Sequence, residues 1–299
     1  MASVPASLPL PRVASAFSTW ITPLELTALG AIWGASFLFM RVAAPEFGAL
    51  PLASVRLLFG ALALLPLLWF ARHALPARRW PLLALIGVIN SAIPFALFAW
   101  AASRAPAGIS AIANSTTVLF TALVAYIAYR EPIDLKRGIG LGLGFFGVVV
   151  LSGADATGIQ ATWGALAGVL AALCYGISVN VIRRKLGDLP PAAVAASTLV
   201  FAALALAPFG AAAWPETSIS AKAWASAITI GVLCTGIAYV LYFRLIRRVG
   251  PARAVTVTYL VPLFAVAWAW LVLGEPLTAS MAIAGALILG GVALAQSRR

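Results

Sequence analysis

Ionisable side chains are scarce in this sequence. Its 299 residues include eight Asp and Glu, one His and two Cys. His73 alone cannot furnish a histidine metal site or a catalytic triad. Cys174 and Cys234 give neither a disulfide framework nor metal-ligand spacing and read as small packing residues. Charged residues make up 9% of the chain, against about 25% in soluble domains, which is too few to cover a water-exposed surface. No glycine-rich phosphate cradle is present, so direct nucleotide drive is not expected. Apart from Glu25 at the very start of the first, the apolar segments hold no His, Asp or Glu for acid–base chemistry. Neither enzyme activity, a cofactor nor a metal is therefore expected.

Apolar sequence dominates instead, with 63% hydrophobic residues and a mean hydropathy of +1.03. Ten apolar segments occupy residues 24–43, 49–71, 80–102, 107–129 and 138–152, then 162–182, 192–213, 223–246, 252–273 and 279–295. A membrane-spanning helix needs roughly 20 such residues, and in lipid only helices or closed barrels satisfy the backbone. An all-α protein with ten transmembrane helices is predicted. Residues 1–21 read as a disordered cytoplasmic tail rather than a cleaved signal peptide.

The net charge of +12 is distributed as a topology signal and not as a nucleic-acid surface. Arg72, Arg78 and Arg79, then Arg130, Lys136 and Arg137, then Arg183, Arg184 and Lys185, then Arg244, Arg247, Arg248 and Arg253 fill alternate loops. Arg12, Arg298 and Arg299 lie on the same side. The opposite loops hold only Arg104 and Lys222. Basic residues collect on the cytoplasmic side, so both termini are expected there.

The second half repeats the first at an offset of 142 to 144 residues. Trp33, Gly34, Ser36 and Arg41 align with Tyr175, Gly176, Ser178 and Arg183. Phe95 and Phe98 align with Tyr239 and Tyr242, and Glu131-Pro132-Ile133 aligns with Glu275-Pro276-Leu277. An odd number of spans per repeat inverts the second copy, a recurring transporter design with substrate near the midplane. The division is then a tail at 1–21, a first five-helix repeat at 22–153 and a second, inverted one at 154–299.

Three sets of residues also resemble the EamA-type drug/metabolite transporters. They are Ile32-Trp33-Gly34-Ala35-Ser36-Phe37, Ala53-Ser54-Val55-Arg56-Leu57-Leu58-Phe59-Gly60-Ala61, and the Glu-Pro endings of the fourth and ninth segments. Within that superfamily the chain looks like the YddG-like amino-acid exporters of bacterial inner membranes. That resemblance implies a central cavity lined by the first, third, fourth, sixth, eighth and ninth helices. One departure is Val118 where the repeat mate is Pro262.

Polar residues within spans usually face a cavity or another helix. Ser110, Asn114 and Thr117 share one face of the fourth segment, with Thr258 as repeat mate of Asn114 and Tyr259 beside it. Asn90, Ser36 and Ser178 complete the polar candidates. Each hydroxyl has a local alternative, a bond back to its own helix. Trp33, Phe37, Tyr175 and Tyr239 are candidate walls, and Pro94, Pro262, Met40 and Tyr242 candidate gating residues. Arg56 comes nearest to mid-span among the bases and is expected to snorkel to the outer surface. The cavity is thus expected to be uncharged, suited to amino acids and related metabolites. A purine, cationic drug or sugar is the alternative cargo. The lipid bilayer and a small-molecule substrate are the expected partners, without nucleic acid, and the chain is expected to be monomeric.

Overall fold

A computed structural model describes residues 16–152, 158–250 and 254–296, with side chains from residue 22 onward except Ser152. Of the expected tail, residues 1–15 lie outside the described residues, as do Arg253, Arg298 and Arg299. Residues 16–21 already belong to the first helix. The described residues are helical without strands.

Among the described residues eight stretches are long and apolar enough to cross a membrane, and Val257–Leu273 is a shorter apolar helix. In chain order the helices are α1 (Ala16–Phe47), α2 (Ala49–Ala71), α3 (Ala77–Ala102), α4 (Ala107–Tyr129), α5 (Leu135–Ser152), α6 (Gly158–Lys185), α7 (Pro191–Ala212), α8 (Ala221–Val249), α9 (Val257–Leu273) and α10 (Ala279–Gln296). Prolines sit at the first turn of α7, where a missing N–H costs nothing. At the start of α8 the Ser220 hydroxyl caps Ala223 N–H at 3.2 Å. Glu46 accepts from Ser220 N at 2.6 Å and so ties the end of α1 to the start of α8.

Packing in the first half is mirrored in the second. Helix α1 lies on α9 as α6 lies on α4; α2 packs on α8 as α7 packs on α3. Helices α2 and α7 pair with each other, as do α5 and α10. Local irregularities are mirrored too. Helix α3 contains a π turn at Val88–Ala92, and α8 has its equivalent at Val232–Ile237. Pro94 follows the first turn, but Ala238 stands at the matching place in the second. Proline alone therefore does not cause the widening. Helix α4 breaks at Thr116, where the Thr116 N–H reaches back three residues to Ala113 O at 3.1 Å, although Val118 replaces proline there.

The ends of α4 and α9 also match. Both close on a left-handed residue, Arg130 (φ 55°) and Gly274 (φ 66°). In each, the following glutamate N–H bonds a carbonyl six residues back, Glu131 to Ala125 O and Glu275 to Ala269 O. Glycine adopts this conformation freely, whereas an L side chain pays about 1 kcal/mol. Arg130→Gly is expected to raise stability by about 1 kcal/mol and Gly274→Arg to lower it similarly, as read by thermal unfolding in detergent.

Candidate functional site

Where α1, α3, α6 and α8 meet, aromatic rings link the two halves. Trp33 packs on Tyr242 with ring centroids 5.1 Å apart, Phe37 on Phe98 at 5.5 Å and Phe98 on Tyr175 at 6.2 Å. Tyr175 and Tyr239 both pack against the cluster containing Phe95. The expected walls are thereby brought together, with Tyr242 and Met40 among them; Met40 is 2% exposed.

The expected polar residues divide into groups. Asn114 on α4 and Asn90 in the π turn of α3 are half-buried, and among the described residues their side-chain amides form no hydrogen bond. They remain free to meet a solute. The hydroxyls take the local alternative: Ser36 donates to Trp33 O, Thr117 to Asn114 O, Ser178 to Cys174 O and Thr258 to Val255 O, at 2.6 to 2.8 Å. Ser110 is 1% exposed, and its hydroxyl has no partner among the described residues. Pro94 and Pro262 are both buried.

Tyr259 stands apart from the aromatic seam. Its hydroxyl donates to Gln296 Oε1 at 2.6 Å, and its ring packs into the cluster built from α4, α5, α6 and α10. Tyr259→Phe should cost about 0.5–1.5 kcal/mol of stability while leaving solute flux within about twofold. Parallel melting and flux measurements separate the two effects. Asn180 is also structural: its amide donates to Thr121 O and Gly176 O, both at 2.9 Å, and ties α6 to α4.

The expectation that Arg56 snorkels outward, and that the seam is uncharged, is overturned. Arg56 is 9% exposed. Its Nε donates to the Thr235 hydroxyl of α8 at 3.2 Å and its Nη1 to Met40 Sδ of α1 at 3.5 Å. Its guanidinium carbon lies 3.6 Å from the Phe95 ring centroid. Tyr175, Cys234 and Tyr239 lie within range of its charge. The π turn in α8 lets the Thr235 hydroxyl donate five residues back to Ile230 O at 3.0 Å, leaving its oxygen for Arg56. Gly231 allows α8 this close, since a Cβ there would stand 2.9 Å from Arg56 O. Arg56 enters its span about seven residues, or ~10 Å, from the end. A long side chain at that depth turns inward when an aromatic face and a hydroxyl lie on that side.

Ion pairs close both ends of the seam. Arg41 Nε pairs with Glu275 at 2.9 Å; the other oxygen of that carboxylate accepts from Ala107 N, also at 2.9 Å. At the opposite end Arg183 pairs with Glu131 at 2.5 Å, and Arg184 joins it. In both, a glutamate from one half's Glu-Pro ending holds the first-helix arginine of the other half. By contrast, a groove of about 690 Å³ between α2, α3, α6 and α7 is lined by residues such as Ile93, Leu97, Trp163 and Phe209. It contains none of the expected site residues and opens among exposed apolar side chains, as a lipid seat does.

The EamA-like transporter family model matches twice, over residues 24–153 and 162–296. The chain belongs to the EamA-like transporter family. It is a multi-pass membrane transporter. A Pseudomonas aeruginosa protein, PA1977, is 31% identical, over 82% of this chain and 83% of its own. The inner membrane transporter YedA of Escherichia coli (strain K12) is 28% identical, over 81% and 79%. A Streptantibioticus cattleyicolor relative named "Probable terminal-alkyne amino-acid exporter" is 24% identical, over 89% and 90%. A solved crystal structure shares the fold with a TM-score of 0.61 at 19% identity, covering 91% of this chain and 96% of its own.

Proposed function

We propose that this EamA-like transporter crosses the bacterial inner membrane ten times, with both termini cytoplasmic. It exports amino acids and related small metabolites by rocking one inverted repeat against the other. The mirrored clamps carry this reading. Glu131–Arg183 and Glu275–Arg41 are equivalent contacts between the halves at opposite ends of the seam. Releasing one while keeping the other gives two related packings, each open to one side, which is what alternating access requires.

Amino acids fit the seam, since free amides at Asn90 and Asn114 and the rings of Trp33, Phe37, Tyr175 and Tyr239 suit an amphipathic zwitterion. The name of the Streptantibioticus relative supports the same cargo, and that of YedA supports the inner membrane. The buried positive charge of Arg56 disfavours a cationic drug. Among the described residues Glu46, Glu131, Asp134, Asp188, Glu216 and Glu275 lie at helix ends or between helices, and Glu25, near the start of the Thr22–Phe47 span, is paired with Arg244 and Arg248. With no carboxylate mid-span to carry a proton, efflux is facilitative in this reading. Proteoliposomes loaded with radiolabelled amino acids test this. The reading expects release down the amino-acid gradient, unchanged when a pH gradient is imposed. Strict dependence on the pH gradient overturns the facilitative mechanism, and absence of any amino-acid flux overturns the cargo.

A further inference from the structure

We propose that Arg56 is the subsite for a carboxylate of the transported solute. The inference rests on the transport reading above and names the chemical group that this seam recognises.

An arginine stays charged in any protein environment, and burying that charge is strongly unfavourable unless it is paired. Among the described residues no Asp or Glu pairs with Arg56; the six ion pairs involve other bases. Its partners are weak or neutral: one hydroxyl, one thioether sulfur and one ring face. A guanidinium offers five N–H donors, yet Nη2 has no acceptor among the described residues. Phe95 covers the guanidinium face, and the spare donors lie at Nη2, on the edge that a carboxylate meets with two parallel hydrogen bonds once it replaces the weak Met40 or Thr235 contact beside it.

Packing alone does not account for the charge. An apolar side chain of similar volume stabilises a buried position as well or better. In the other repeat the equivalent residue is Thr198, buried and bonded to its own helix at Ala195 O. The same place in the fold therefore does not require a base. Arg56 also bridges the halves, held by Met40 and Phe95 from the first and Thr235 from the second. A carboxylate docked there bonds a group whose neighbours shift when the halves rock.

Purified full-length protein in a neutral detergent, free of added lipid headgroups, provides the test. Tryptophan fluorescence is titrated with benzoate against benzamide, and with L-phenylalanine against L-phenylalaninamide. Each carboxylate is expected to bind about tenfold tighter than its amide. Arg56→Gln should abolish that ratio, and Arg56→Lys, which keeps charge without the planar fork, should retain part of it. Equal binding of acid and amide by the native chain overturns the proposal even if both variants misfold. So does no binding of either acid, or a ratio that survives in folded Arg56→Gln. If benzoate is discriminated but L-phenylalanine is neither bound nor moved, the carboxylate subsite stands and the amino-acid cargo falls. If L-phenylalanine is moved but binds no better than its amide, the cargo stands and the subsite falls.

Discussion

Gly291→Leu is expected to leave no monodisperse folded protein after detergent extraction. Helices α5 and α10 meet backbone to backbone: a Cβ at Gly291 would lie 2.5 Å from Gly140 O and 2.7 Å from Gly144 N. Gly140 faces the same restriction, with Gly291 O at 2.6 Å and Ala295 N at 2.7 Å. Water-driven burial does not hold helices together in lipid, so close contact between small residues provides much of the association. Neither backbone can yield to a side chain, and separating the helices loses their whole interface, beyond the 1–3 kcal/mol of ordinary overpacking. The neighbouring position is the control. A Cβ at Gly290 meets nothing within 4 Å, and Gly290→Ala should be neutral or stabilise by up to about 1 kcal/mol. Size-exclusion profiles of both variants measure the contrast. A monodisperse Gly291→Leu would disprove the close approach.

Breaking the two clamps should push the transporter in opposite directions. Glu275→Ala leaves Arg41 without its carboxylate and Ala107 N–H without its acceptor; Glu131→Ala frees Arg183 and Arg184. Glu275 is 15% exposed and Glu131 38%, so the Glu275 clamp is the drier and stronger. Losing 1–2 kcal/mol from one closed end shifts the ratio of open to closed by about 5- to 30-fold. A reporter cysteine replaces Ala99, which is 1% exposed in the cluster with Phe37 and Met40, after Cys174 and Cys234 are changed to alanine. Labelled from outside with an impermeant maleimide, the reporter should react faster with Glu275→Ala and slower with Glu131→Ala. Changes of the same sign in both variants contradict alternation between these ends.

The helices were legible because lipid imposes a length and a polarity on every span, and the charge alternation around Arg78, Arg137, Arg184 and Arg247 reinforced the reading. The repeat was legible because matched positions such as Gly34 and Gly176 meet matched constraints: a Cβ at either would stand within 3 Å of Phe264 or Phe120 on the facing helix. The direction of Arg56 was not legible. Depth along α2 can be counted, but the turn inward is decided by Phe95 and Thr235, distant in sequence. The place of Tyr259 was not legible for a similar reason: adjacency to Thr258 in sequence does not mean sharing its face, and Gln296 holds the Tyr259 hydroxyl away from the aromatic seam. The π turns had no signal, because Pro94 marks one and nothing equivalent marks the other. The role of Glu131 and Glu275 was half-visible: the repeated Glu-Pro pair stood out, but not the arginine each would hold.

Thiol labelling of single cysteines in intact cells tests the oppositely threaded repeats most directly. Exposed positions between helices are suitable: Ser103 and Thr217 for one side, Asp134 and Asp188 for the other. Two threaded halves of opposite sense predict that Ser103→Cys and Thr217→Cys react with an impermeant maleimide added outside, and that Asp134→Cys and Asp188→Cys react only after the cells are opened. Reaction of Ser103→Cys and Asp134→Cys from the same side would contradict it.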